Sequence, residues 1–392
     1  MPWKKTSAMD QRIQLIAEWV RGEYTKSELC RAYGISRPTA DKWIARYAAR
    51  GAPGLEEGSR APHAHPNETP EALRAMIVAT KLRHQTWGPK KVVDFLRRAQ
   101  PDVPWPADST AGALLQRAGL VRPRTRRRRV APDSAPFSHC EGPNQSWSAD
   151  FKGDCRLGNG RRCYPLTMSD NFSRYLLVCR GLERPSYEAV RPWFEWVFRE
   201  YGLPEALRTD NGAPFASLAV GGLSRLSKWW IQLGIKPERI RPGQPAQNGR
   251  HERMHRTLKE AVPVHATLSA QQRQYNAFCE EYNWHRSHEA LGRKIPGEVY
   301  SASPRPYPGI LPPVEYESGV TVRQVRHNGE IKWQGALIYV SEVLAHEPLG
   351  LTPIDEDTWE VRYSFHVLGV LDQRLKKILP ATGWHGSARI NM

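Results

Sequence analysis

Acidic residues are scarce in this chain beside basic ones: 40 Asp and Glu stand against 57 Lys and Arg, giving a net charge of +17 and a pI near 9.8. Such a balance points to a polyanionic partner, either nucleic acid or an anionic membrane surface. Long apolar stretches are missing too. No run of 18 apolar residues exists among the 392, and Met1 to Arg12 has no apolar signal core. Both absences speak against a membrane and predict a soluble cytoplasmic protein, so nucleic acid becomes the leading partner. The six cysteines (Cys30, Cys140, Cys155, Cys163, Cys179 and Cys279) form no C-x-x-C pair, which excludes the common zinc and redox signatures and predicts free thiols. His285 and His288 lie three residues apart, but Tyr282 to Pro296 reads as the end of a helix and a loop folding back over its domain. No clear Ser or Tyr nucleophile motif stands out either.

What is present is a set of three carboxylates in distinctive settings. The first lies in Gln145-Ser-Trp-Ser-Ala-Asp150-Phe-Lys-Gly-Asp154, the second in Leu207-Arg-Thr-Asp210-Asn-Gly212 and the third in Gln247-Asn-Gly-Arg-His-Glu252-Arg-Met-His-Arg256. Around Asp150 the chain alternates, with Trp147, Ala149 and Phe151 on one parity and Ser148, Asp150 and Lys152 on the other, so a half-buried strand is predicted. Asp210 follows the short segment Ala206 to Thr209 and precedes Asn-Gly, which predicts a carboxylate where a strand ends and the chain turns. From Gln247 no proline interrupts until Pro263, and Asn248, Glu252, Arg256 and Lys259 recur at helical spacing. One helix face would then present an acid flanked by phosphate-seeking groups. Two strands and a helix bearing such acids could hold two Mg²⁺ or Mn²⁺ ions, about 3.5 to 4 Å apart, for phosphoryl transfer. Asp154 reads as a surface charge beyond Gly153, Asp170 as a turn residue and Glu260 as a weaker competitor of Glu252.

These motifs, Trp-Ser-Ala-Asp-Phe-Lys-Gly, Arg-Thr-Asp-Asn-Gly-Ala-Pro-Phe and Gln-Asn-Gly-x-x-Glu-Arg-x-His-Arg-x-Leu-Lys, resemble those of the DDE transposases of bacterial insertion sequences, whose core is related to retroviral integrases. There are 59 residues between the first two acids and 41 between the last two, and the resemblance covers most of residues 1 to 375. It implies that Asp150, Asp210 and Glu252 are catalytic and bind the metal, with Asp150 bridging two ions. It also implies a double-stranded DNA substrate, element ends and target alike, and a dimer or larger homo-oligomer, since two ends must be joined. Accessory transposition proteins are further candidate partners, and a bacterial, nucleoid-associated location follows. The His/Cys zinc module of retroviral integrases has no counterpart before Asp150.

Ahead of the acids, residues 1 to 60 read as a helix-turn-helix domain with helices at Asp10–Arg21, Thr25–Tyr33 and Ser36–Arg50. Ser36 is placed to cap the third helix, Pro38 stands in its first turn and Gly34 makes the tight turn before it. Leu29, Ile35, Ala40, Trp43 and Ile44 would pack inward and leave Arg37, Thr39, Lys42 and Arg46 for DNA. Residues 61 to 121 predict a second, similar domain, with helices at Pro70–Gln85, Pro89–Arg98 and Ser109–Ala118 and with Lys90 and Lys91 as phosphate contacts. Residues 122 to 140 form an arginine-rich linker that carries six arginines between Arg122 and Arg129, among them Arg126, Arg127, Arg128 and Arg129, expected to track the DNA backbone.

The core, residues 141 to 303, predicts three antiparallel strands, a crossover helix over Ser186–Tyr201 and two added strands, a ribonuclease-H-like α/β fold. Residues 314 to 380 predict a small C-terminal β-barrel, with a hairpin of Val320–Val325 and Ile331–Val340 around Asn328-Gly329. The fold class is thus multidomain α+β. The function that follows is an enzyme that nicks DNA by metal-dependent hydrolysis and joins the 3′-hydroxyl ends to target DNA by transesterification, Arg256 and Lys259 holding the backbone beside the site. The alternatives are a non-catalytic DNA-binding regulator or domesticated transposase, and a nuclease on the same fold.

Overall fold

A computed structural model describes residues 7–58, 68–121, 140–151, 153–217, 222–240 and 245–380. The run Arg126–Arg129 and Lys152 lie outside them. The chain divides into two compact units at Thr69/Pro70.

The first unit holds α1 (Ala8–Arg21), α2 (Lys26–Ala32) and α3 (Arg37–Arg50). Its helices begin where the sequence supplies caps. Ser7 and Asp10 form a reciprocal capping box on α1, and Thr25 and Glu28 do the same on α2. Ser36 occupies the cap position of α3, but its hydroxyl meets that of Thr39 at 2.9 Å instead of capping the backbone, so the start rests on Pro38. Leu29, Ala40 and Trp43 are buried as expected, and Ile35 and Ile44 are partly covered.

The second unit begins with α4 (Glu71–Arg83), α5 (Pro89–Ala99) and α6 (Asp108–Arg117), packed around Ile77, Trp87, Val92, Val93, Ala111 and Leu115. The central sheet follows, with β1 (Ser146–Phe151), the short β2 (Cys155–Arg156), β3 (Arg162–Asp170), β4 (Leu176–Leu182), α7 (Tyr187–Tyr201), β5 (Ala206–Thr209), α8 (Arg225–Gln232) and β6 (Lys236–Arg239). β3 lies between β4 and β1, all antiparallel; β1 pairs in parallel with β5, and β5 with β6, while β2 extends one end of β3. Three antiparallel strands followed by a crossover helix and two parallel strands is the ribonuclease-H-like order predicted above.

Parity along the strands decides what each face covers. Trp147, Ala149, Leu166, Met168 and Leu207 pack with Val190, Phe194 and Phe198 of α7 and with Leu226 and Trp230 of α8. On the other side lie α9 (Gly249–Ala261) and α10 (Leu268–Glu280), whose Met254, Leu258, Tyr275 and Phe278 close a second core with Leu176 and Cys179. The sheet is therefore a middle layer with helices on both faces.

The C-terminal region corrects one expectation. β7 (Thr321–Gln324), β10 (Pro348–Pro353), β11 (Thr358–Tyr363), β12 (His366–Asp372) and β13 (Lys377–Pro380) form an antiparallel sheet in the order β13-β12-β11-β10-β7, and β8 (Glu330–Trp333) pairs with β9 (Ala336–Tyr339). Among the described residues no ladder joins β7 to β13, so the sheet is open and not the predicted closed barrel. The hairpin turn also sits elsewhere. Gln334 and Gly335, both at positive φ, turn β8 into β9, whereas at Asn328-Gly329 only the glycine is left-handed and the chain leaves to pair β7 with β10. This layer shares one apolar core with Leu223 and Ile231 beside α8, and Lys228 reaches Glu347 at 2.7 Å.

The second helical unit is also docked. Arg293, just past α10, binds Asp94 of α5 and reaches Asp108 of α6 at 2.8 Å, while Ser287 donates to Asp94 at 2.6 Å. Asp108, the first residue of α6, thus serves in this junction.

Candidate active site

β1 and β5 run in parallel with Ser146 opposite Ala206 and Ser148 opposite Arg208. Continued by two residues, that register sets Asp150 across from Asp210, and adjacent strands lie about 4.8 Å apart. Both acids share the parity of Ser146 and Ser148, opposite to that of Trp147 and Ala149, so they belong to the face covered by α9. Just before Asp210 the register is held by Arg208 and Glu238, a buried ion pair at 3.0 Å between β5 and β6. Asp210 is half-buried, and desolvation pushes its carboxyl above the ordinary range although the Gly212 N–H donates to it at 3.1 Å. Asp150 is also half-buried.

The face around these acids is lined by buried polar side chains. Ser148 donates to Asn171 at 3.0 Å, Asn171 donates to Ser146 at 3.1 Å, and Arg250 at the start of α9 donates to the Asn171 carbonyl at 3.0 Å. Thr167 lies across β1–β3 from Asp150, and Ser169 across from Ser148. From α9, His251 places Nε2 at 2.8 Å from the Thr167 hydroxyl and Nδ1 at 2.9 Å from that of Ser169, while His255 Nε2 lies at 2.6 Å from Thr167. Burial lowers His251 to about 3, so it is neutral.

Glu252 stands in the first turn of α9, between the two histidines in sequence and exposed. Arg256 and Lys259, on the same helical stripe, are exposed as well; Asn248, grouped with them by spacing, is buried in a 3₁₀ turn. Among the described residues, the group whose ligand atoms all lie within 4.8 Å of one another is Asp150, His251 and His255, not the three acids. The histidines were missed in the sequence, yet the signal was there: His251, Met254, His255 and Leu258 make the i, i+3, i+4, i+7 stripe of a buried helix face.

Two of the competing acids, Asp154 and Asp170, are occupied elsewhere, and Glu260 is exposed on α9. Asp154 pairs with Arg162 at 3.1 Å on the surface. Asp170 is buried and closes the β3–β4 turn, accepting from the N–H groups of Asn144 and Ser173 and from the Ser173 hydroxyl. His288 is partly buried, and the loss of solvent lowers it to about 3.

Comparison with known proteins adds an independent finding. Two models described as integrase core domain match residues 141–245 and 233–296, a helix-turn-helix domain matches 11–63 and a homeodomain-like domain matches 39–115. A 39.2 kDa protein of insertion element IS476 from Xanthomonas euvesicatoria is 30% identical over 298 residues, spanning 73% of this chain and 81% of that protein. The chain belongs to the integrase-core transposase family of bacterial insertion elements. Another relative of this transposase chain, a 31.7 kDa protein of IS407 from Burkholderia multivorans, is 31% identical over 201 residues, 47% of this chain and 66% of that protein. The Gag-Pol polyprotein of baboon endogenous virus is 28% identical over 120 residues, 31% of this chain and 6% of the polyprotein. Among solved structures, the HTLV-2 integrase catalytic core domain in complex with magnesium is 16% identical, covers 41% of this chain and 97% of that one, and has a TM-score of 0.32.

Proposed function

We propose that this transposase-family chain binds the ends of a mobile element, hydrolyses a phosphodiester there to release a 3′-hydroxyl, and uses that hydroxyl to displace a phosphodiester oxygen of target DNA. Each step exchanges one P–O bond for another, so no covalent protein–DNA intermediate is needed. The observation that carries the reading is the register match of Asp150 with Asp210 on the polar, α9-covered face of an integrase-type sheet.

Asp150 and Asp210 offer hard oxygen donors side by side, which suits Mg²⁺ or Mn²⁺, and Glu252 would add a third from α9. When bound, such ions supply an activated attacking oxygen and a stabilised leaving oxygen. The protein's own part is to hold the acids on a rigid sheet and to exclude water from the face behind them. Arg256 and Lys259, exposed one and two turns beyond Glu252, would hold the phosphate backbone. Arg37, Thr39, Lys42 and Arg46 would read bases, and Arg126 to Arg129, with Lys90 and Lys91, would add phosphate contacts. In this reading residues 1–60 and 61–121 recognise ends, 122–140 tether them, 141–303 carry the chemistry and 314–380 form an accessory domain. The working form is a homo-oligomer on DNA at the nucleoid.

Replacing Asp150 or Asp210 by Asn, or Glu252 by Gln, is expected to abolish Mg²⁺-dependent nicking and joining together while end binding persists. Joining by Asp210→Asn at the wild-type rate would refute the site. Full activity in excess chelator would refute the metal, and end binding with no wild-type chemistry would leave a DNA-binding regulator.

A further inference from the structure

The Thr167 hydroxyl has three polar neighbours: the Asp150 carbonyl at 3.1 Å and the Nε2 atoms of His251 at 2.8 Å and His255 at 2.6 Å. A hydroxyl carries one proton and two lone pairs. All three bonds close when Thr167 donates to the Asp150 carbonyl and accepts from both imidazoles, which makes each ring an Nε2–H donor. His251 then accepts from the Ser169 hydroxyl through Nδ1, at 2.9 Å. His255 turns its Nδ1 toward the Asp150 carboxylate, 3.8 Å away.

One buried oxygen therefore ties the backbone of Asp150 to the helix that carries Glu252. Thr167 itself is paired with Asp150 across β1 and β3, so the tie is anchored in the sheet. Thr167 and His251 are almost wholly buried, and His255 nearly so. A slip of α9 by one residue along its axis is about 1.5 Å, enough to break both imidazole bonds and leave buried donors without acceptors.

We propose that Thr167, His251 and His255 are positioning residues that lock α9 onto β1, and so fix Glu252 relative to Asp150 and Asp210 for shared binding of a divalent cation. This inference rests on the acid assignment above. Residues that orient metal-binding side chains without touching the ion typically change its affinity by roughly 10- to 100-fold when removed.

The test uses the full chain and reads Mn²⁺ affinity by calorimetry together with the Mg²⁺ concentration for half-maximal joining. Thr167→Val keeps the shape and removes the hydroxyl; it is expected to raise both midpoints about tenfold or more, with end binding unchanged. Thr167→Ser keeps the hydroxyl and is expected to stay within about twofold of wild type. His255→Leu against His255→Gln, whose amide N–H can take the place of Nε2–H, carries the same contrast should the valine variant not fold. Midpoints equal to wild type in both hydroxyl-free and donor-free variants would overturn the lock, as would ¹⁵N imidazole signals assigning the Nδ1–H tautomer to both rings. The tautomers can be read in Asp210→Asn protein, so this arm stands even if the acid assignment fails; that failure would show as Mn²⁺ binding unaffected by Asp210→Asn.

Discussion

The two N-terminal helical units use the same kind of scaffold in opposite ways. In the first, the cations at the start of α3 face outward. Arg37 and Lys42 are exposed, and Lys42 and Arg46 lean over the buried Trp43 ring at 4.4 and 5.1 Å, which stiffens them without neutralising them. In the second, much of the charge is spent on the junction with the integrase-type core. Arg293 bridges Asp94 and Asp108, Lys90 meets Glu289 at 3.5 Å, Arg98 donates to the His285 carbonyl at 2.6 Å, and Lys91 is half-buried. One unit leaves its basic face exposed; the other is a bracket held against the integrase core. Sequence spacing shows the helices in both cases but not which way the charge is turned.

Breaking the bracket is expected to have the largest effect. Arg293→Ala leaves Asp94, whose side chain is 10% exposed, in a buried site beside the Ser287 hydroxyl. Because Arg293 is itself 37% exposed, water screens part of the loss, and removing it costs roughly 2 kcal/mol, less than breaking a pair buried on both sides; denaturant unfolding should shift by that amount. Arg293→Lys should recover only part, because a single ammonium cannot reproduce a guanidinium shared between two carboxylates. An unfolding midpoint unchanged in Arg293→Ala would mean that the junction carries no weight.

The first unit predicts the converse. Arg37→Ala with Lys42→Ala should change stability by less than about 0.5 kcal/mol, yet reduce the preference for element ends over scrambled duplex by about 1 to 3 kcal/mol for each base edge that is no longer read. Competition binding measures it directly. Equal weakening on both duplexes would reassign these residues to the phosphate backbone.

What could be read in the sequence follows the same division. Helices, strands and the two faces of the central sheet were legible because period and capping are local: Trp147 and Ala149 against Ser148 and Asp150 already announce an apolar and a polar side. The β7 pairing was not legible, because Asn328-Gly329 has the composition of a hairpin turn while the choice of β10 over β8 as partner is made by tertiary packing. The three acids proposed for the chemistry stood out through their motif settings. Thr167 did not, since it lies in an ordinary strand and matters only through the two histidines that helix packing brings to it from more than 80 residues away.

The smallest effect tests the bracket through Lys91. Its ammonium is desolvated where α5 meets the core, and Arg286 adds repulsion, so its folded pKa lies below the ordinary 10.5. The unfolded chain therefore holds the proton at pH values where the folded chain has released it, and stability rises with pH from the depressed value up to 10.5. Below that window the penalty is fully present. Lys91→Met, which keeps the stem and removes the charge, should be more stable than wild type at neutral pH by roughly 0.5 kcal/mol, a modest figure because the amine retains contact with water. The advantage should shrink as pH approaches 10.5, as unfolding midpoints at neutral pH and near the top of the window will show. An advantage that is constant with pH would assign the gain to packing instead of charge. If Lys91 instead grips a DNA phosphate, the same variant should bind all duplexes more weakly and lower the salt slope by about one, so a single substitution decides whether this residue belongs to the bracket or to the DNA.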